Sequence, residues 1–109
     1  MAYDPELADE VREFLVAEAG VSERQMFGGI AFMVNGNMAV GVMGADLMVR
    51  VGGAAFDEAM ERPGARIFDF TGRPMKNWVL VGPEGFTEPG DFADWIQRGV
   101  DFAASLPPK

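Results

Sequence analysis

The sequence contains neither histidine nor cysteine among its 109 residues. Histidine is the commonest general base and metal ligand, and cysteine supplies thiolate nucleophiles, metal ligands and disulfides. Their joint absence excludes thiol catalysis and a disulfide framework, and it removes the usual ligands of a zinc site. We therefore expect no cofactor and no enzymatic activity, with carboxylates or Lys76 as the remaining means of acid–base chemistry.

Long apolar runs are also missing, whereas a transmembrane helix needs about 20 consecutive apolar residues. Residues 1–6 have neither the basic nor the apolar region of a signal peptide. We therefore expect a cytoplasmic protein with no membrane association. An apolar fraction of 49% and a charged fraction of 24% are typical of one soluble globular domain, which we predict over residues 1–109.

Basic residues are scarce, and the formal net charge is −8. Residues 1–23 hold seven acids and one arginine, residues 77–109 hold five acids and two bases, and the middle of the chain is balanced. Because nucleic-acid binding depends on basic residues that displace counterions, direct DNA binding is disfavoured. The acidic ends indicate solvated outer faces on terminal helices.

The apolar spacing near the start of the chain predicts an amphipathic helix. Asp4 is a suitable N-cap, Pro5 a suitable first residue and Gly20 the expected end. The apolar residues that fall at helical spacing on one side are Leu7, Val11, Phe14 and Leu15. Beyond it, residues 26–34, 38–43 and 47–51 are predicted strands of an antiparallel meander, with an Asn-Gly hairpin turn after the first.

The second half of the chain is also predicted to contain both helices and strands. A short helix is predicted over residues 54–61, and two strands over residues 66–70 and 77–81. A final helix is predicted with Asp91 as its cap, Asp94 completing a partial capping box and Trp95 in its apolar stripe. The order α-β-β-β-α-β-β-α predicts an α+β fold, in which helices pack on a mainly antiparallel five-stranded sheet.

The most unusual segment is residues 68–78, in which aromatic and polar residues alternate around a sharp turn. Period-two alternation predicts that Phe68 and Phe70 are buried and that Asp69 faces the other way, with a positive φ at Gly72. The planar fork of Arg73 suits a phosphate or carboxylate. The candidate anion-binding residues are Arg24, Phe27, Arg66, Arg73, Lys76 and Trp78.

A structural interpretation of this segment remains open. Arg66 and Arg73 would then pair with Asp69 or with acids of the terminal helices. Eight methionines likewise allow two interpretations, an adaptable binding surface or core filling. The methionines in or beside the predicted strands are Met26, Met33, Met38, Met43 and Met48.

Two further clusters have weaker functional signals. Gly52 and Gly53 lie between a strand and a helix, where backbone N–H groups can hold an anion, but neither phosphate-binding glycine motif is present and a plain turn is the favoured interpretation. Asp57, Glu58 and Glu61 lie close along the short helix. Paired carboxylates act as acid and base only when burial separates their pKa values, so a solvated face is the simpler interpretation.

Four segments occur in an order that resembles the TfoX/Sxy N-terminal domain family. They are RQMFGG (24–29), the Asn-Gly hairpin, FDFTGRPMK with WV (68–76 and 78–79), and LPPK (106–109). The resemblance implies an α-β(3)-α-β(2)-α fold in two layers, similar to type III secretion chaperones and YjbR-like domains. It supplies no catalytic residues, because none are established for the family.

The resemblance also carries an expectation about function. Full-length members regulate natural competence, act with the cyclic-AMP receptor protein at certain promoters, and carry a C-terminal domain with helix-hairpin-helix character. We therefore expect a non-enzymatic module for regulation or protein interaction, with a protein partner, as a monomer or weak homodimer. The alternative is a domain that binds a small anion or small molecule through the Arg/Lys patch.

Overall fold

The computed structural model describes residues 3–26, 28–68 and 77–108. These residues form three α-helices, six β-strands and one 3₁₀ turn (Pro83–Gly85). The helices are α1 (Pro5–Leu15), α2 (Phe56–Met60) and α3 (Pro89–Ala104). The strands are β1 (Val21–Met26), β2 (Gly29–Val34), β3 (Asn37–Met43), β4 (Asp46–Arg50), β5 (Ala65–Ile67) and β6 (Trp78–Val81).

The strands form one sheet in the order β1-β2-β3-β4-β6-β5, and every neighbouring pair is antiparallel. The predicted α+β class is confirmed, with six strands in the described chain instead of five. The unpredicted strand is β1. Its residues 22–25 are exposed and polar, so they lack the alternation that marks a half-buried strand. A turn with φ 75° at Gly28 separates β1 from β2 inside the segment predicted as one strand.

The meander of β2, β3 and β4 is confirmed, and its first turn has the predicted chemistry. Asn35 and Gly36 form a two-residue connection with φ values of 54° and 83°. Positive φ at both positions is the requirement of a type I′ hairpin, which matches the twist of its strands. The two residues therefore fix the register in which β2 meets β3.

All three helices pack on one face of the sheet. Alternate residues of β2, β3, β4 and β6 form a buried cluster with the apolar sides of the helices. The longest helix, α3, approaches β3 closely at Gly99. A Cβ atom at that position would lie 2.5 Å from the carbonyl oxygen of Ala39. Glycine is therefore what permits this close contact between helix and sheet.

The helix boundaries differ from the predicted ones. The side chain of Asp4 caps α1 as predicted and accepts from the N–H of Glu6 at 3.0 Å. The helix ends at Leu15, however, and Gly20 adopts a positive φ of 77° in the turn before β1. Helix α2 has only five residues.

The start of α3 also lies before the predicted one. Its N-cap is Glu88, so Asp91 lies in the first turn and the proposed cap at Asp91 was wrong. Pro89 accounts for the shift, because its fixed φ suits the first helical position.

The other face of the sheet carries a second apolar cluster. Met48, Phe68 and Trp78 are buried there, and Met38, Met43 and Leu80 pack against them. Burial of Phe68 agrees with the prediction, whereas Asp69, Phe70 and Gly72 lie outside the described residues. Met48 is fully buried, which favours core filling at that position, and the side chain of Met26 is outside the description.

Candidate functional site

The structure separates the described members of the predicted Arg/Lys patch. Arg24 lies on β1 and Arg66 on β5, which are the two edges of the sheet. With five interstrand steps between them, their backbones are about 24 Å apart. Phe27, Arg73 and Lys76 lie outside the described residues, so their part in binding stays a prediction. The two arginines lie at opposite ends of one row of directly paired residues across the sheet. That row is Arg24, Ala31, Gly41, Met48, Leu80 and Arg66.

Arg66 has an acidic partner on its own sheet. Its Nη2 lies 2.7 Å from Oδ2 of Asp46, on the start of β4. The structural interpretation had named Asp69 or acids of the terminal helices as the partner. The observed acid belongs instead to the third strand from the edge, on the same face. Only the register of the sheet reveals this pair, because the two residues are distant in sequence.

Among the described residues, the cation beside Trp78 is Arg50, which the sequence analysis had not placed in the site. The Cζ of Arg50 lies 5.6 Å from the Trp78 ring centroid and 5.4 Å from the ring centroid of Phe102 on α3. Its Nη1 donates to the carbonyl oxygen of Met38 at 3.3 Å. Trp78 is only 8% exposed and also contacts the Phe68 ring edge-on. This arrangement ties the end of α3 to the sheet.

One polar atom of Arg50 has no partner. Its Nε is buried without a hydrogen bond, and within the described part of the chain the guanidinium makes no ion pair. A buried donor without an acceptor is costly, so this atom is the strongest anion-directed feature among the described arginines. The sequence signal for this placement is the alternation of side chains along β4, which puts Arg50 on the same face of the sheet as Met48.

The two weaker clusters have structural roles. The N–H of Gly52 donates to the carbonyl oxygen of Asn77 at 3.1 Å, so it already has an acceptor. Helix α2 begins at Phe56, beyond the glycine pair, and five residues give only a short helix. Asp57 is exposed on it. The turn interpretation of Gly52 and Gly53 is therefore favoured.

Glu58 belongs to an exposed ion cluster that joins α2 to α3. Nη1 and Nη2 of Arg98 donate to its two carboxylate oxygens at 2.9 and 3.2 Å, and Arg62 Nε donates at 3.0 Å. Asp94 completes the cluster with both arginines. These hydrogen bonds, from Arg98 first and then Arg62, hold the pKa of Glu58 below its usual range. A general acid needs a raised pKa, so Glu58 is unsuited to that role.

A groove runs between α1 and the segment that leads into α3. We call it the α1 groove, and its main part has a volume of about 480 Å³. The rings of Phe86 and Phe92 pack edge to face at 5.8 Å between centroids, and the Phe14 side chain is exposed. The residues that line this main part are Glu10, Glu13, Phe14, Phe86, Thr87, Pro89 and Phe92.

A smaller depression of about 180 Å³ continues the groove towards the start of α1. Glu10 and Phe86 line both parts, and Asp4 and Glu6 add further carboxylates. The sequence analysis had assigned these acids to a solvated face. The sequence analysis had placed Phe14 in the apolar stripe of this helix, but in the structure its side chain is exposed beside these acids.

The fold and the groove define an α+β domain with an open antiparallel sheet, helices on one face and an acidic, aromatic groove. The chain belongs to the TfoX N-terminal domain family, whose model matches residues 13–103. The comparisons with curated proteins and with solved structures give no significant match. The groove carboxylates at positions 4, 6 and 10 precede the matched range.

Two searches of the described residues complete the description of candidate sites. No helix among them is long and apolar enough to cross a membrane. In the same part of the chain, no group of three or more acidic side chains is arranged to hold a metal ion.

Proposed function

We propose that this TfoX N-terminal domain is a non-enzymatic module that acts in regulation by binding another protein. The observation that carries the proposal is the α1 groove, where the exposed Phe14 and the half-buried Phe86 and Phe92 line an open surface beside carboxylates. Aromatic residues are enriched in the centres of protein interfaces, where they supply most of the binding energy. The absence of histidine and cysteine from the sequence agrees with a role in binding.

The test is site-specific crosslinking in the native host. A photoreactive phenylalanine analogue replaces Phe14, which is 37% exposed beside the groove. We expect it to capture a defined protein. The same analogue at Ile67, which is 43% exposed on the edge strand β5, is the matched control. Equal capture at both positions, or no capture at Phe14, would contradict the proposal.

The proposed module acts in the cytoplasm as a monomer or weak homodimer and does not contact DNA directly. A net charge of −8 repels phosphate, and the groove adds carboxylates to the surface. In a fluorescence anisotropy titration with duplex DNA at physiological salt, we expect no binding below about 100 μM, the weak end of non-specific affinities. Tighter, salt-dependent binding would refute this part.

Anion binding is the second candidate function, and the buried Nε of Arg50 favours it. The guanidinium lies between two rings without a carboxylate in the described chain. Titration with inorganic phosphate, followed by the fluorescence of Trp78, tests the idea against an Arg50→Lys variant. Because the buried Trp95 of α3 is the second tryptophan of the sequence, a Trp95→Phe background isolates the Trp78 signal. Lysine keeps the charge but lacks the planar fork, so a phosphate affinity that is unchanged in Arg50→Lys would exclude this site.

A further inference from the structure

The acids of the α1 groove form one stripe along the helix. At 100° per residue, Glu6, Glu10 and Glu13 fall within about 60° of one another around the axis. All three are exposed. Phe14 lies between this stripe and the buried apolar side of α1, which includes Val11. A partner on this flank of the helix would meet carboxylates and an aromatic ring together.

No cation of the described residues pairs with these carboxylates. Within the described chain, Glu6, Glu10 and Glu13 take part in no ion pair. Arg12, the single base of residues 1–23, lies on the other flank of α1. Its guanidinium donates to Asp9 at 2.6 Å and to Glu23 at 2.7 Å. The described residues therefore leave the negative charge along the groove uncompensated.

The shape of the groove favours an extended partner over a small molecule. Small-ligand sites enclose most of their ligand, whereas this groove is open and continues along α1. The 11 residues of α1 span about 16 Å, which is the length of about three turns of a second helix. Apolar grooves beside a helix are a recurrent way to bind an amphipathic helix.

From these observations, and resting on the proposed function, we propose that the α1 groove binds a basic amphipathic helix of a partner protein. Its apolar side chains pack on Phe14, Phe86 and Phe92. Its lysines or arginines pair with Glu6, Glu10 and Glu13. A cation that lies over an exposed ring also gains a cation–π contact, which adds to the preference for basic residues.

Selection from a random peptide library displayed on phage tests the chemistry without assuming a sequence. With peptides of about 12 residues, roughly three helical turns, we expect enrichment of lysine and arginine at helical spacing with apolar residues. The Glu10→Lys/Glu13→Lys variant should lose that enrichment. Acidic or neutral winners, or no enrichment, would overturn the proposal.

The selected peptide then gives a quantitative test by fluorescence anisotropy. Because both substituted positions are exposed, we expect Glu10→Lys/Glu13→Lys to keep its circular dichroism spectrum and to weaken binding at least about tenfold. The matched control, Asp57→Lys/Glu61→Lys, makes the same charge change at two exposed sites, one on α2 and one directly after it, and should bind within about twofold. An equal loss in both variants would mean non-specific attraction and would refute the site.

Salt and self-association provide two further outcomes. Raising the salt from about 0.05 to about 0.5 M shortens the Debye length from about 14 to about 4 Å and should weaken binding. Affinity that is independent of salt would contradict the role of the carboxylates. Sedimentation that shows a dimer lost in Phe14→Ala would assign the groove to a second copy of the chain and overturn the proposal.

The crosslinking experiment separates this inference from the proposed function. If the analogue at position 14 captures a protein through a basic segment, the protein-binding function and the basic helix are both supported. If the captured segment is acidic or neutral, the protein-binding function stands and the basic helix is refuted.

Discussion

Replacement of Gly99 by alanine should destabilise the domain, although alanine is the better helix former. Helix propensity alone favours alanine by about 1 kcal/mol. The added Cβ would, however, lie 2.5 Å from both the Ala39 carbonyl oxygen and Cγ1 of Val40. The carbonyl belongs to the central strand β3, so α3 and the sheet must separate. Overpacking costs about 1–3 kcal/mol, and a contact with the backbone belongs to the upper part of that range, about 2–3 kcal/mol. After the helix-propensity gain is subtracted, we expect a net loss of about 1–2 kcal/mol in unfolding free energy.

Thermal unfolding followed by circular dichroism measures this loss. For 109 residues the entropy of unfolding is about 0.23 kcal/mol/K, so each kcal/mol corresponds to about 4 °C. Gly99→Ala should therefore lower Tm by about 4–8 °C. Gly90 is the matched control on the same helix, since a Cβ there meets nothing within 4 Å. Gly90→Ala should raise Tm by about 2–4 °C. A Gly99→Ala protein as stable as the wild type would refute the close packing of α3.

Three further substitutions test other contacts. Glu58→Gln should lower Tm at pH 7, because Glu58 has a depressed pKa in the folded state. The stability that the ionised carboxylate contributes is present above its unfolded-state pKa and disappears as pH falls through its folded-state pKa. A Tm deficit that persists in melts at about pH 2 would contradict the ion cluster. Trp95→Phe removes a buried hydrogen bond from Nε1 to the Gly85 carbonyl oxygen at 3.2 Å and also shrinks a buried ring, so it should cost about 2–3 kcal/mol in urea unfolding. An unchanged unfolding free energy would contradict both contacts. Asn37→Ala removes the bond from Nδ2 to the Pro107 carbonyl oxygen at 2.9 Å and should cost about 1–2 kcal/mol, with faster hydrogen exchange at the end of α3, and unaltered exchange would argue against this tie.

Local patterns predicted the elements whose signals lie in adjacent residues. Asn35-Gly36 gave the hairpin because positive φ is a property of those two residues. The buried stripe of α3, which includes Trp95, followed from helical spacing. Strand β1 was missed because an exposed edge strand has no apolar alternation to detect. The cap of α3 was misplaced because Asp91 is a good cap by type, while Pro89 begins the helix earlier.

The sites depended on strand order, which composition does not encode. Arg24 and Arg66 looked like members of one patch, yet β1 and β5 form opposite edges of the sheet. Arg50 was overlooked because its aromatic neighbours come from β6 and α3, which are distant in sequence. The α1 groove likewise needs Phe86 and Phe92 to be brought beside α1. Each of these is a contact between elements, so a linear pattern cannot reveal it.

The two outer strands of the described sheet disfavour the addition of strands from other molecules. An antiparallel sheet can add strands from other molecules wherever a long, apolar edge is available. Here one edge is the three-residue strand β5, which offers few backbone groups to a newcomer. The other is β1, whose exposed Glu23 and Arg24 would have to lose water against an incoming chain. We therefore expect the protein to form no fibres through these edges, even at high concentration.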